Sequence, residues 1–254
     1  MVSCSGGCGA KEADNKITVE SASEAPETKP IEIETEAPET EAPETEAADP
    51  DEQEPRVEKD GMIRSYLTGE MVPVSQGNRR PLAIMMSNDK AALPQYGINR
   101  AGVVYEAPVE ATMNRYLAVM EDYDDLTRIG SLRSCRTYYV YFAREFDAIY
   151  AHFGQSTFAK PYLKFVDNIN GIEGEGSTAY FRSKDKKSPH NAYASFGGIQ
   201  RAIEKLGYSQ EYDADYDGHF KFAKEGTQAV MHGADVREAY KVTPGYKLNN
   251  PWFE

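Results

Sequence analysis

The stretch "SCRTYYVYFAREFDAIYAHFG", residues 134–154, changes its hydrophobic period partway along. In residues 134–147 the Tyr, Val and Phe positions recur at a spacing near 3.6, and Ser134 stands where an N-cap would, which predicts a helix. Residues 148–154 form a short, nearly continuous apolar run ending at Gly154, which predicts a buried strand. A helix that runs straight into a buried strand places both in one α+β domain.

The flanking sequence extends this pattern. "PLAIMMSN" (81–88) predicts a buried strand, "AGVVYEAPVEA" (101–111) a strand broken by Pro108, and "RYLAVMED" (115–122) a third. "YDDLTRIGSL" reads as a loop by its Asp and Gly content. Downstream, "STFAKPYLKFVDNI" predicts a helix opened by Ser156 and disturbed by Pro161, and "NGIEGEGST" (170–178) a loop. "GGIQRAIEKLGY" predicts a helix closed at Gly207, while "HFKFA" and "REAYKV" read as strands. The expected fold is α+β, a layered mixed sheet with helices packed on one side.

Charge divides the chain. Residues 1–60 carry 18 acidic and 5 basic side chains, a balance of −13 that equals the net charge of the whole 254-residue chain. This segment repeats "EAPET" at 24–28, 36–40 and 41–45 and has no Phe, Trp or Tyr. It lacks the apolar surface to offset the entropy of ordering, so residues 1–60 are expected to be a disordered, self-repelling tether. At on the order of 3.3 Å per extended residue, fifty residues would reach well over 100 Å. Residues 61–254 hold all 17 Tyr, all 10 Phe and Trp252, enough aromatic mass for one globular domain. Their balanced charge gives no basic face for nucleic acid.

Three cysteines are present, Cys4, Cys8 and Cys135. Two lie in the leader, which argues against a disulfide framework, and the Cys4-x3-Cys8 pair has no second ligand pair for a metal. A small residue before a cysteine, followed by a long polar spacer, matches what a bacterial lipobox leaves, with Ser3-Cys4 the better match and Gly7-Cys8 the alternative. The expectation is a lipid on Cys4, or on Cys8, holding the protein on the outer face of the bacterial membrane. The charged and apolar regions of a signal peptide are absent from the sequence, which is expected to be trimmed. No window of about 18 apolar residues is present to span a bilayer.

Three ordered motifs carry a resemblance: "NRRPLAIMMSNDKAALPQYGINRAGVVYEAPVEATMNRYLAVM", "RIGSLRSCRTYYVYFAREFDAIYAHFG" and "FRSKDKKSPHNAY". Together they resemble the bacterial YerB-like family of lipoproteins, whose shared domain has no established activity, over roughly residues 65–225. The resemblance implies an extracytoplasmic, lipid-anchored protein with a layered α+β N-terminal domain. It also implies a smaller C-terminal domain after it, expected to be missing beyond Glu254. Ser87 and Cys135 depart from the family pattern, which has an acidic and a small residue there.

Candidate chemistry gathers on polar residues within these motifs. Arg133 and Arg136, three apart at the start of a predicted helix, make a plausible oxyanion site, yet cations near a helix N-terminus require something negative to compensate them. Glu106 and Glu110, with Arg115 close behind, are the carboxylates on offer. They either pair with the arginines and fix the loop on the sheet, leave them for an anionic ligand, or act as an acid/base pair. His152 and His190 are the remaining titratable candidates, with Asn88 and Asn191 beside the same motifs. No metal or cofactor is expected: the histidines lack ligand spacing, and "GIEGEG" (171–176) lacks the Lys-Ser/Thr of a phosphate loop. Gly154-Gln155-Ser156 does not form a nucleophile elbow.

The leading expectation is a non-catalytic binding protein whose Arg/His/Glu cleft receives an anionic small molecule or an acidic segment of an envelope protein. One alternative is a hydrolase of envelope polymers using Glu106 or Glu110 with His152 or His190. The other is a purely structural envelope module.

Overall fold

The computed structural model describes residues 56–110 and 113–223, with two further two-residue strands, β1 (Thr18–Val19) and β12 (Val242–Thr243), which pair antiparallel. Contacts divide the chain into two units, and the site discussed below lies in the one spanning Glu44–Val230.

That unit begins with an antiparallel hairpin, β2 (Met62–Arg64) and β3 (Met71–Pro73), followed by the helical turn α1 (Val74–Gly77). A mixed five-stranded sheet forms its centre, in the order β5-β6-β4-β8-β9. The strands are β4 (Leu82–Ser87), β5 (Val103–Pro108), β6 (Asn114–Met120), β8 (Ile149–His152) and β9 (Asn168–Asn170). β4 takes β6 antiparallel on one side and β8 parallel on the other. Every residue of β4 is buried, which explains its unbroken apolar run. β5 ends at Pro108, whose ring offers no N–H to a ladder.

Alternation along β4 separates two cores. Leu82, Ile84 and Met86 face Ile199, Ala202 and Ile203 of helix α3 (Phe196–Leu206), while Ala83 and Met85 face Tyr139, Val140 and Ala143 of helix α2 (Thr137–Arg144). Helical cover is thus divided between both faces of the mixed sheet, where cover on one side was expected, because both sets of inward side chains are apolar. A small antiparallel sheet, in the order β10 (Tyr180–Arg182), β11 (Ala192–Ala194) and β7 (Ile129–Gly130), packs on the α3 side.

Helix α3 closes as expected, with Gly207 at φ 69°. It starts at Phe196, just ahead of the expected "GGIQ", where Ser195 accepts the N–H of Gly198. Helix α2 departs from its sequence signals: it starts at Thr137 rather than Ser134, Arg136 holds the cap position without a side-chain cap, and the Ser134 hydroxyl donates to the Phe153 carbonyl instead. Residues 156–169 do not form one helix. Pro161 opens a short 3-10 segment, Lys160–Phe165, and the chain then enters β9 because Asn168–Asn170 pair with β8. "HFKFA" (219–223) is irregular rather than a strand, with Phe220 against Phe146 and Phe222. Of "REAYKV", Val242 lies in β12; residues 237–241 and 245–254 lie outside the described residues.

Candidate functional site

β4 and β6 meet at the end of the sheet where Ser87 pairs with Arg115, and the chain leaving β4 carries Asn88 and Asp89. Because alternate residues face alternate sides, Arg115 shares the α2 face with Leu117 and Val119, and Asn114 the opposite face with Tyr116. The ladder sets Glu106 of β5 across from Tyr116. Glu106 therefore reaches two amides: its Oε1 accepts from Asn88 Nδ2 at 3.1 Å and from Asn114 Nδ2 at 2.9 Å. Burial raises the pKa of Glu106 despite these two bonds, which favour the carboxylate.

Glu110 behaves differently. Its two oxygens take Arg136 Nε and Nη2 at 2.6 and 2.5 Å, a bidentate pair, and the hydrogen-bonded guanidinium holds its carboxyl below the usual range. The compensating negative group demanded by an arginine at a helix N-terminus is therefore Glu110. Arg136 also donates to the Ser134 and Cys135 carbonyls.

Arg115 is the deepest cation here, 6% exposed. Its Nη1 donates to the Ser134 carbonyl, and it forms no ion pair among the described residues. Burial, then the neighbouring Arg136 and Arg133 charges, push its pKa down to about 10, which still leaves it cationic at neutral pH. Arg133 gives Nη1 to the Pro189 carbonyl at 3.3 Å and has no ion pair among the described residues. Burial lowers its pKa, and Asp89 opposes that effect. Arg115 and Arg133 line one small recess with Ser87, Asn88, Asp89 and Asn114, of about 20 Å³, room for one water-sized group. Asp89 caps the 3-10 segment Lys90–Ala92 and stands 4.0 Å from His190 Nε2.

The expected residues thus fall into three groups. Asn88, Glu106, Arg115 and Arg133 lie at or beside the recess, with His190 reached through Asp89. Glu110 and Arg136 neutralise each other at its edge. His152 and Asn191 stand apart: His152 is fully buried between the Gly154 carbonyl at 2.7 Å and Asn168 Oδ1 at 3.2 Å, and burial lowers its pKa. Asn191 accepts from Arg182 and donates to the Ser183 carbonyl, fixing the β10–β11 connection. A shared acid/base site of Glu110 with His152 is not assembled. Cys135 is buried, and burial pushes its thiol up to about 11, so little thiolate forms at neutral pH. No group of three or more His, Cys, Asp or Glu suited to a metal occurs among the described residues.

Asn114 and Asp89 escaped the sequence reading, since neither stands out in a motif. The available signal was the polar pair Asn114-Arg115 ahead of the apolar run of β6, at the strand end where polar residues can converge.

The family model described as "Protein of unknown function (DUF3048) N-terminal domain" matches residues 67–209. The chain belongs to the DUF3048 family. It is similar to the protein named "Putative lipoprotein YerB" of Bacillus subtilis (strain 168), 32% identical over 193 residues, 74% of this chain and 54% of that protein. The crystal structure of the YerB protein from Bacillus subtilis superposes with a TM-score of 0.55 at 33% identity, covering 59% of this chain and 52% of that one. The chain therefore spans about half the length of that relative. The DUF3048 match contains every residue of the recess. No helix among the described residues is long and apolar enough to cross a membrane.

Proposed function

We propose that this DUF3048 protein is a lipid-anchored, extracytoplasmic binding protein that captures the anionic head of a ligand between Arg115 and Arg133. The observation that carries the reading is the isolation of Arg115, a buried guanidinium without an ion pair among the described residues, next to two further arginines. A buried charge costs several kcal/mol unless something compensates it, roughly as much as a whole small domain's margin of stability. Glu110 would be the internal answer, but Arg136 occupies both of its oxygens. An oxyanion entering the recess meets Arg115, Arg133 and the neutral amides of Asn88 and Asn114. Asp89 at the same recess disfavours any anion that does not reach the arginines. The space takes one oxygen of a carboxylate or phosphate group, with the rest of the ligand outside.

Lipid attachment at Cys4, or alternatively Cys8, with residues 1–60 as a tether, is supported by the residues around those cysteines and by the similarity to the Bacillus subtilis protein named "Putative lipoprotein YerB". Incorporation of radiolabelled palmitate in cells is expected to disappear in Cys4→Ala. Label that survives in both Cys4→Ala and Cys8→Ala sinks the anchor.

The anion site is tested by thermal melting of the full chain against inorganic phosphate and acetate. A saturable rise in melting temperature is expected, and Arg133→Gln, a half-buried position whose loss leaves no carboxylate unpaired, is expected to remove most of it. An unchanged rise in Arg133→Gln, or no rise with either anion, overturns the reading.

A further inference from the structure

A second cavity, of about 420 Å³, opens at the opposite end of the sheet, where Ala148 leads into β8 and Val166 and Asp167 lead into β9. Its floor is closed within itself. Buried Arg80 donates to Asp167 Oδ2 at 2.7 Å and to the Asp147 and Ser209 carbonyls, and its Nη2 lies 3.1 Å from Asp147 Oδ1. The walls are not closed. Arg144, at the end of α2, and Lys164 stand 5.9 and 5.0 Å from the centroid of the Phe165 ring, and neither has an ion pair among the described residues. Asp213 and Asp215 line the same cavity with no cation paired to them among the described residues, and the ring of Tyr216 is tied by its hydroxyl to the Glu145 carbonyl.

Charges of both signs therefore face one space, all four exposed and none with an ion pair among the described residues. A purely anionic ligand would meet Asp213 and Asp215, and a purely cationic one would meet Arg144 and Lys164. An apolar one would strip water from all four. A molecule with a carboxylate at one end and an ammonium at the other satisfies both walls, and an aromatic side chain on it has Phe165 and Tyr216 to pack against. At about 30 Å³ per water the space equals roughly a dozen waters, the size of a dipeptide rather than a single small ion. The volume also lies within the range of ordinary small-molecule pockets, about 300–1,000 Å³.

We propose that this cavity binds a short peptide with both termini free, its carboxylate toward Arg144 and Lys164 and its ammonium toward Asp213 and Asp215. The site is independent of the Arg115 recess. The probe is the dipeptide Ala-Phe, titrated calorimetrically into the full chain alongside its N-acetylated, C-amidated and doubly capped forms. Saturable binding of Ala-Phe is expected, weakened about tenfold or more by either cap. Lys164→Gln is expected to weaken Ala-Phe without further weakening the C-amidated form. Asp215→Asn is expected to weaken Ala-Phe without further weakening the N-acetylated form. Both side chains are exposed, so the fold should survive, as circular dichroism would verify. Because the recess at Arg115 also takes carboxylates, the titrations are repeated in Arg133→Gln, where the cavity's binding of Ala-Phe and its response to both caps should persist. Absence of saturable binding, equal binding of the doubly capped form, or affinity unmoved by both cavity variants overturns the proposal.

Discussion

The three arginines of "RIGSLRSCR" (128–136) illustrate how one residue type is put to different uses. Arg128 lies between the rings of Tyr96 and Tyr193, 4.0 and 3.9 Å from their centroids, and hydrogen-bonds Asp185. Arg136 holds Glu110, and Arg133 alone keeps most of its guanidinium available. The Glu110 pair gives a pH-dependent prediction. Its carboxyl is held below the usual range, so its contribution exists above the unfolded pKa of about 4.3 and is lost as pH falls through the lower folded value. Glu110 is 61% exposed, so solvent screening limits the pair to on the order of 0.5 kcal/mol. Glu110→Gln should therefore be slightly less stable than the parent at neutral pH and equal to it at the acid end. Chemical denaturation across that range that shows a constant difference would rule out the ion pair as the cause. The demand for a negative partner near the arginines was legible in sequence. Which glutamate answers was not, because Glu106 and Glu110 differ only in where β5 ends.

Among the elements, α3 was the most legible, since its apolar positions and Gly207 act within one turn of their effect, although Ser195 starts it just ahead of the expected "GGIQ". Its two adjacent glycines make opposite predictions. Gly197 is exposed, with only the flexible end of Arg201 near a new Cβ, so Gly197→Ala should stabilise by about 0.5–1 kcal/mol through reduced backbone entropy. A Cβ at Gly198 would collide with the backbone carbonyl of Ala179, so Gly198→Ala should cost about 1–3 kcal/mol. Urea midpoints of the two variants should move in opposite directions. Helix α2 was legible in kind but not in its start. Ser134 is drawn away to the Phe153 carbonyl, and the first turn is instead anchored by Tyr139, whose hydroxyl reaches the Ala107 and Arg115 carbonyls at 3.0 and 2.6 Å. Such long-range hydrogen bonds leave no periodic trace in the chain.

For the whole molecule, the separation of charge along the sequence is the dominant feature: residues 1–60 carry the net −13 and the charges of residues 61–254 balance. If residues 1–60 act as the proposed tether, their self-repulsion should be screened by salt. The hydrodynamic radius of the chain should shrink between about 0.01 M and about 1 M salt, as the screening length falls from roughly 30 Å to 3 Å. A radius that does not change would argue against a self-repelling leader. The domain itself should keep its melting temperature over the same range to within a few degrees, since its 5-stranded core is apolar on both faces.

Sequence by itself determined the buried strands β4, β6 and β8, the closing Gly207 of α3, and the asymmetry of charge between residues 1–60 and 61–254. These depend on neighbours within a turn or on simple composition, where side-chain spacing and local hydrogen bonding act directly. Only the tertiary structure decided that β4 is flanked antiparallel by β6 and parallel by β8, that Glu110 rather than Glu106 neutralises Arg136, and that His152 is sealed from solvent. It also decided that Arg144 and Lys164 share a cavity with Asp213 and Asp215. Those outcomes turn on strand register and on contacts between residues far apart in the chain, where a shift of one position sends a side chain to the opposite face of the sheet.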